Sequence, residues 1–181
     1  MNALLLIDIQ NDYFPDGKME LVDSEQAGKH AGKLLAAFRE KKLPVFHVQH
    51  ISARAGATFF LPGTRGVDVH ASVAPLAGEV VVTKNYPNAF HKTTLLQQLR
   101  ELAIDSLIIA GMMTHMCVDT TVRAACDLGF ACTVAHDACA TRDLTFGDAT
   151  VPAHDVQTVY MASLNGLFAK VEGADTLCGS L

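Results

Sequence analysis

Hydrophobic and polar positions along the chain alternate between short, almost wholly apolar runs and longer amphipathic segments. The short runs have the length and β-branched content of buried strands, whereas the longer segments repeat their apolar positions at helical spacing. The pattern predicts strands over 3–8, 44–49, 79–83, 105–110 and 130–135, and helices over about 24–41, 92–101, 117–128 and 152–169. Strands that alternate with helices are typical of an α/β fold with a parallel sheet covered on both faces.

Two segments interrupt this alternation. Residues 50–78 are rich in Gly, Ala and Pro and are too long for an ordinary connection, so we predict a functional loop or an interface arm there. Residues 138–151 are the second interruption, and we predict that they form a lid.

Charged or nucleophilic residues stand where three predicted strands end. Asp8 ends the first strand, Lys84 ends the run Glu-Val-Val-Val-Thr-Lys, and Cys117 follows a strand and a turn marked by Gly111. Ligands of open parallel sheets bind beyond the carboxyl ends of the strands, so these side chains are expected to converge. Cys117 would also open a helix, where unpaired N–H groups favour a thiolate and lower its pKa. Each residue alone has an ordinary explanation, as a packed thiol, a cap or a solvated lysine, but together they predict a site.

Three ordered motifs carry a family resemblance. They are Leu-Leu-Ile-Asp-Ile-Gln-Asn-Asp-Tyr-Phe at 5–14, Thr-Lys-Asn-Tyr-Pro-Asn-Ala-Phe at 83–90, and Gly-Met-Met-Thr-His-Met-Cys-Val-Asp-Thr-Thr at 111–121. Through them nearly the whole chain resembles the isochorismatase-like cysteine hydrolases, which include nicotinamidases, carbamoylsarcosine amidases and ureidoacrylate-type amidohydrolases. The pattern and the resemblance together predict a three-layer α/β/α, Rossmann-like fold with a mostly parallel sheet of about six strands.

The resemblance implies a catalytic triad of Asp8, Lys84 and Cys117. It also implies an oxyanion hole made by the backbone N–H groups of Met113 and Cys117, with a cis peptide bond between Met112 and Met113. In the implied reaction Asp8 takes the thiol proton, sulfur attacks an amide or carbamoyl carbon, and water hydrolyses the thioester. Another branch of the superfamily hydrolyses the enol ether of isochorismate without needing a cysteine, so Cys117 favours cleavage of a C–N bond.

A substrate pocket is expected around this triad. The predicted lining consists of Gln10, Phe14, Tyr86, Asn88, Phe90 and His115, to which the long loop would add Phe59 or Phe60. His115 stands two residues before Cys117 and also raises a cysteine–histidine dyad as an alternative mechanism. The acid and lysine already provide the proton chemistry, so we prefer the triad.

Histidines raise the question of a metal. Nicotinamidases of the superfamily bind a metal near the end of the second strand, where an aspartate precedes histidines. The corresponding place here reads Val48-Gln49-His50 and lacks that acid, and His47 and His50 would point to opposite faces of a strand. We therefore predict no metal and no organic cofactor, while leaving open a role for His47, His50 or His70.

Composition limits the remaining functions. The 181 residues are 50% apolar, which suits a single domain over 1–181, and the net charge of −5 without a basic run argues against nucleic acid or an anionic membrane as partner. No apolar run approaches the roughly 20 residues of a membrane span, and the N-terminus lacks the basic start of a signal peptide, so we predict a cytoplasmic protein. Five cysteines without a Cys-x-x-Cys pair indicate reduced thiols.

The expected partner is a small-molecule substrate, which the sequence does not identify. The resemblance implies a homo-oligomer, a dimer or tetramer, in which the apolar 55–62 segment could serve as an arm. A different interpretation is a non-catalytic scaffold or thiol redox sensor, but the nearest cysteine along the chain, Cys126, would lie on the same helix as Cys117 and more than one turn away.

Overall fold

A computed structural model describes residues 1–181. The strands are β1 (Asn2–Ile7), β2 (Val45–His50), β3 (Val80–Lys84), β4 (Ser106–Met112), β5 (Ala131–Ala140), β6 (Leu144–Phe146), β7 (Ala149–Val151) and β8 (Lys170–Glu172). The helices are α1 (Ser24–Glu40), α2 (Leu95–Glu101), α3 (Asp119–Asp127), α4 (Ala153–Leu164) and α5 (Ala174–Ser180).

Six of the strands form one parallel sheet in the order β3-β2-β1-β4-β5-β8. Successive residues of β1 alternate between its two faces. Leu4 and Leu6 pack in a cluster with α1 and α5, whereas Leu5 and Ile7 pack in a second cluster with α2, α3 and α4. Because helices cover both faces of the sheet, the central strands β1 and β4 are almost wholly apolar, and the predicted three-layer α/β/α fold is confirmed.

The predicted elements differ from the structure mainly after β4. The helix expected to begin at Cys117 is preceded by a π-helical turn, Thr114–Val118, so that Cys117 lies inside the turn and α3 begins at Asp119. The helix expected over 152–169 ends at Leu164, and the chain then adds the short strand β8 and helix α5. A three-residue strand carries too little periodicity to be recognised, which is why β8 was missed.

The long segment over 50–78 folds back against the body of the protein. It contains two single turns of 3-10 helix, Arg65–Val67 and Ala71–Val73, and it buries Phe60, Val67 and Val73. The second interrupted segment forms a short antiparallel hairpin of β6 and β7 after the end of β5. None of the five helices combines the length and apolarity needed to cross a bilayer.

Candidate active site

Three strand ends bring Asp8, Lys84 and Cys117 into contact. The Lys84 ammonium donates a hydrogen bond to Asp8 Oδ2 at 2.7 Å and another to Cys117 Sγ at 3.3 Å. Asp8, Lys84 and Cys117 are 0%, 2% and 4% exposed, so the ion pair is shielded from water. Asp8 has a φ of 52°, a left-handed conformation that costs a non-glycine residue about 1 kcal/mol or more and is common at functional sites.

A histidine that the sequence did not assign to this cluster completes it. His50 is the last residue of β2 and pairs in register with Lys84, the last residue of β3. Its Nδ1 lies 2.8 Å from the Lys84 ammonium, so the three hydrogens of that ammonium have three acceptors. The signal available in the sequence was that two neighbouring strands both end in a basic residue.

Burial and charge set the protonation of the cluster. Burial, followed by the nearby Asp8 carboxylate, raises the pKa of the Cys117 thiol far above its usual range, although Lys84 opposes that rise. Burial alone would lower the pKa of Lys84, but Asp8 and Cys117 outweigh it and hold that pKa above the ordinary value. Burial and Asp8 thus shift the Cys117 pKa in the direction opposite to the lowering expected at a helix N-terminus, while Asp8 and Cys117 favour the charged form of Lys84.

The same cluster bears on the question of a metal. Ligand atoms of Asp8, His50 and Cys117 lie within 4.8 Å of one another, which is a spacing that a cation could bridge. The Lys84 ammonium, however, contacts all three and already supplies the positive charge. These residues therefore do not fit a metal ion. His47 and His70 lie elsewhere, the first bound to Glu79 at 3.0 Å and the second stacked on Phe14.

The turn before Cys117 presents a backbone donor. The Met112–Met113 peptide bond is cis, as the resemblance implied. The Met113 carbonyl accepts hydrogen bonds from the N–H groups of Met116 and Val118, but the Met113 N–H donates to no group of the protein. Gly111 is required upstream, because a Cβ there would lie 2.1 Å from the Ile7 carbonyl oxygen.

Cys117 opens onto a cavity of about 540 Å³. Aromatic side chains form much of its wall, with Tyr13 and Phe60 packed edge to face at 4.6 Å and Phe59 beside both. The lining also includes His50, Ser52, Arg54, Asn85, Tyr86, Met113 and Met116. A pocket of this size can enclose a small organic molecule against the thiol.

Residues 2–170 match the family model described as the isochorismatase domain. The chain belongs to the isochorismatase family. It is 51% identical over 170 residues to the uncharacterized isochorismatase family protein YddQ of Bacillus subtilis, and the match covers 94% of each. An isochorismatase-family structure from Oleispira antarctica is 50% identical, with a TM-score of 0.95 over 98% of this chain and 96% of the other. Nicotinamidase 3 of Arabidopsis thaliana is 27% identical over 82% of this chain and 78% of that protein.

The resemblance carried by the three motifs is thus confirmed, and the chain is an isochorismatase-family hydrolase. Among the residues predicted for its pocket, Tyr86 lines the cavity, as do both Phe59 and Phe60 from the long loop. Tyr86 is 42% exposed and stands at the rim, whereas Phe60 is buried and forms the wall.

The other predicted pocket residues of this isochorismatase-family protein do not line the cavity. Gln10 is buried and hydrogen-bonded to both backbone groups of His50. Phe14 faces a second cavity, of about 550 Å³, beside Asp12 and His70. Asn88 accepts a hydrogen bond from the Phe90 N–H, and Phe90 itself stacks on Phe130 in the core.

His115 also lies apart from the thiol chemistry of the isochorismatase-family site. Its Nδ1 is hydrogen-bonded to the Thr141 hydroxyl at 2.6 Å, and its ring packs against Tyr160. It is absent from the cavity wall that Cys117 shares with Met113 and Met116. A cysteine–histidine dyad with His115 is not formed.

Proposed function

We propose that the protein hydrolyses an amide or carbamoyl C–N bond of a small molecule through a thioester on Cys117. The observation that carries this proposal is the buried contact of Lys84 with both Asp8 and Cys117 at the floor of the cavity. A thiol, a carboxylate and a fixed cation supply a nucleophile, a base and the charge that stabilises both. The similarity to Nicotinamidase 3, an amidase by name, supports the same bond type.

The first step begins from a protonated thiol. Asp8 accepts the Cys117 proton as sulfur bonds to the carbonyl carbon. Because the two events occur together, no free thiolate forms in the buried site. Oδ1 of Asp8 is buried without a hydrogen-bond partner and is therefore free to receive that proton. Lys84 stays charged throughout and moves its hydrogen bonds between the carboxylate and the sulfur as the charge shifts.

The second step breaks the C–N bond. The free N–H of Met113, together with the N–H of Cys117, would stabilise the tetrahedral oxyanion, each donor contributing about 3 kcal/mol in related chemistry. Asp8 then passes its proton to the leaving nitrogen as the C–N bond breaks and the thioester remains. Water attacks the thioester carbon with Asp8 as base, which restores the thiol and releases the acid.

The test is to measure ammonia or amine release from a panel of small carboxamides and carbamoyl compounds, with isochorismate included as an enol-ether substrate. We expect wild-type turnover, an acyl group on the Cys117 peptide in rapidly quenched samples, and neither with Cys117→Ala. Cys126→Ala, which changes a thiol outside the cavity, should behave as wild type. Hydrolysis that survives Cys117→Ala would contradict the thioester.

A further inference from the structure

The hydrogen bond between His50 and Lys84 fixes where the imidazole carries its proton. An ammonium group only donates, so Nδ1 of His50 must accept the hydrogen bond that joins them at 2.8 Å. Burial first, and then the charge of Lys84, lower the pKa of His50, which keeps the ring neutral. A neutral ring with a free lone pair on Nδ1 carries its hydrogen on Nε2.

That Nε2–H donates a hydrogen bond to no group of the protein. His50 lines the cavity, and its Nε2 neither hydrogen-bonds to another residue nor belongs to the buried polar atoms sealed from solvent. One of its ring nitrogens lies within 4.8 Å of Cys117 Sγ. His50 and Cys117 line the same cavity, so a group attached to the sulfur extends into the space that the imidazole faces.

The position of His50 is fixed before any substrate arrives. The Gln10 side chain accepts a hydrogen bond from the His50 N–H at 2.7 Å and donates one to its carbonyl at 2.9 Å. The Phe60 ring lies 5.9 Å from the imidazole and limits its movement on the cavity side. A donor held on three sides loses little entropy when it binds an acceptor.

We propose that His50 determines specificity by donating its Nε2–H to a carbonyl, carboxylate or other hydrogen-bond acceptor that the substrate carries beside the scissile C–N bond. This inference rests on the proposed function, because it takes Cys117 as the attacking atom. A substrate with only hydrocarbon at that place would leave a buried donor unpaired, and such mismatches are rejected strongly.

Alkylation of Cys117 tests this without knowledge of the natural substrate. The thiolate displaces iodide from iodoacetamide, which leaves an amide acceptor beside the sulfur, or from iodoethane, which leaves none. The measured quantity is the ratio of the two rate constants at Cys117, divided by the same ratio for N-acetylcysteine. Any change in thiol activation affects both reagents and cancels.

His50→Leu removes the Nε2–H and should lower the corrected ratio roughly threefold to tenfold, the value of one hydrogen bond. His50→Gln is the matched variant, because its amide can accept from Lys84 and still donate into the cavity, and it should stay within about twofold of wild type. An unchanged ratio in His50→Leu would overturn the proposal.

Nitrogen-15 NMR spectra of the histidine side chains provide a second test, which uses the wild-type protein and requires no substitution. We expect His50 as the neutral Nε2–H tautomer at pH 7, and a proton on Nδ1 would overturn the proposal. Failure of the proposed function looks different: amides would not be hydrolysed, while the ratio and the tautomer would stand as expected.

Discussion

At the scale of single residues, Asp8 and Lys84 form a buried ion pair that contacts the Cys117 thiol. The Cys117 thiol is buried next to a carboxylate, and both features raise its pKa. The surroundings of Cys117 therefore disfavour its thiolate form, in contrast to cysteines whose pKa is lowered at a helix N-terminus or beside a histidine. In the reaction that we propose, Asp8 removes the thiol proton only when the sulfur attacks the substrate.

Asp8→Asn should affect alkylation and hydrolysis in opposite directions. Loss of the carboxylate removes one cause of the raised thiol pKa, so iodoacetamide should modify Cys117 faster at pH 8. The rate should rise by about tenfold for each unit by which the Cys117 pKa falls. Amide hydrolysis should fall by roughly 10²–10⁴-fold, because the base is gone. Peptide mass spectrometry and ammonia release give the two readings, and a variant slower in both would argue against this role of Asp8.

Lys84→Met should slow both processes. Lys84 is the group that lowers the Cys117 pKa against burial and Asp8, so its loss raises that pKa further and delays alkylation at pH 8. Hydrolysis should also fall by at least tenfold, since an unpaired buried carboxylate is costly. Lys29→Met, which changes an exposed lysine of α1, is the control for loss of one positive charge. Unaltered kinetics in Lys84→Met would exclude the triad.

The sequence predicted the contact among Asp8, Lys84 and Cys117 because parallel strands deliver their carboxyl ends to one edge. It could not predict the protonation of Cys117, since desolvation depends on how the whole site is buried. It also could not separate Gln10 from the cavity lining. A buried amide side chain can contact a ligand or hydrogen-bond to the backbone. Only the packing shows that Gln10 hydrogen-bonds to the backbone of His50.

At the scale of elements, the Asp12 carboxylate is one of the groups that attach the long loop to the body, beside the Gln10 and Gln49 amides, which both donate to the Val67 carbonyl. Asp12 Oδ2 accepts a hydrogen bond from the Phe60 N–H at 2.6 Å, and its Oδ1 accepts one from the Lys18 N–H at 3.1 Å. Phe60 lies in the left-handed region with a φ of 54°, so this anchor holds a strained residue that forms the cavity wall. Gly66 comes close enough that no side chain fits beside the carboxylate.

Gly66→Ala should displace this anchor. A Cβ at Gly66 would stand 2.1 Å from Asp12 Oδ1, so the carboxylate must move away from Phe60. We expect a loss of about 1–3 kcal/mol in the free energy of unfolding, measured in urea, and faster tryptic cleavage at Arg54 or Arg65.

Gly63→Ala is the control in the same loop. A Cβ there meets no atom within 4 Å, and only the φ of +74° is unfavourable. It should cost about 1 kcal/mol and leave the tryptic pattern unchanged. Equal effects of both substitutions would show that Asp12 does not anchor the loop.

The sequence located this loop and the main helices, because their patterns run over many residues. It misplaced the start of the helix at Cys117, since a π-helical turn differs from an α-helix in hydrogen bonding and not in apolar spacing. The hairpin of β6 and β7 was expected to form a lid, but it does not line the cavity of Cys117. Which loop closes over a site depends on tertiary placement that periodicity does not encode.

At the scale of the whole molecule, a charged network joins a helix layer to the edge of the sheet. Arg39 of α1 donates to both carboxylate oxygens of Glu79 at 2.7 and 2.8 Å, and His47 of β2 lies 3.0 Å from the same carboxylate. The hydrogen bond from Arg39 is the first cause that lowers the pKa of Glu79 to about 2. The pairing is thus present in the folded protein well below the pH at which a free Glu is protonated.

This network should contribute to acid sensitivity. The folded pKa of Glu79 is below its ordinary value of 4.5, so its stabilisation is complete above about pH 5 and is lost as the pH falls from 4.5 towards 2. The wild-type protein should lose unfolding free energy as the pH falls through that range. Glu79→Gln should lose less, by about 1–3 kcal/mol. Urea unfolding at pH 6, 4 and 3 measures it, with the exposed Glu40→Gln as control; parallel curves for the two variants would contradict this prediction.

The overall architecture was the most predictable feature, because strands covered on both faces and alternating with helices leave few arrangements. The 55–62 segment was a candidate interface arm, but its residues Phe59 and Phe60 pack around Tyr13 of the same chain. Single-domain organisation, homo-oligomer formation and cytoplasmic location stay predictions.

The common direction of the strands has a practical consequence for handling the protein. The Met1 ammonium is paired with Asp105 at 2.6 Å, at the end of β1 opposite to Asp8. Six residues of strand separate the two ends, which corresponds to about 20 Å. An affinity tag, fluorophore or surface linker joined to Met1 would therefore lie at the opposite edge of the sheet from Asp8 and would leave the cavity at Cys117 accessible to small molecules.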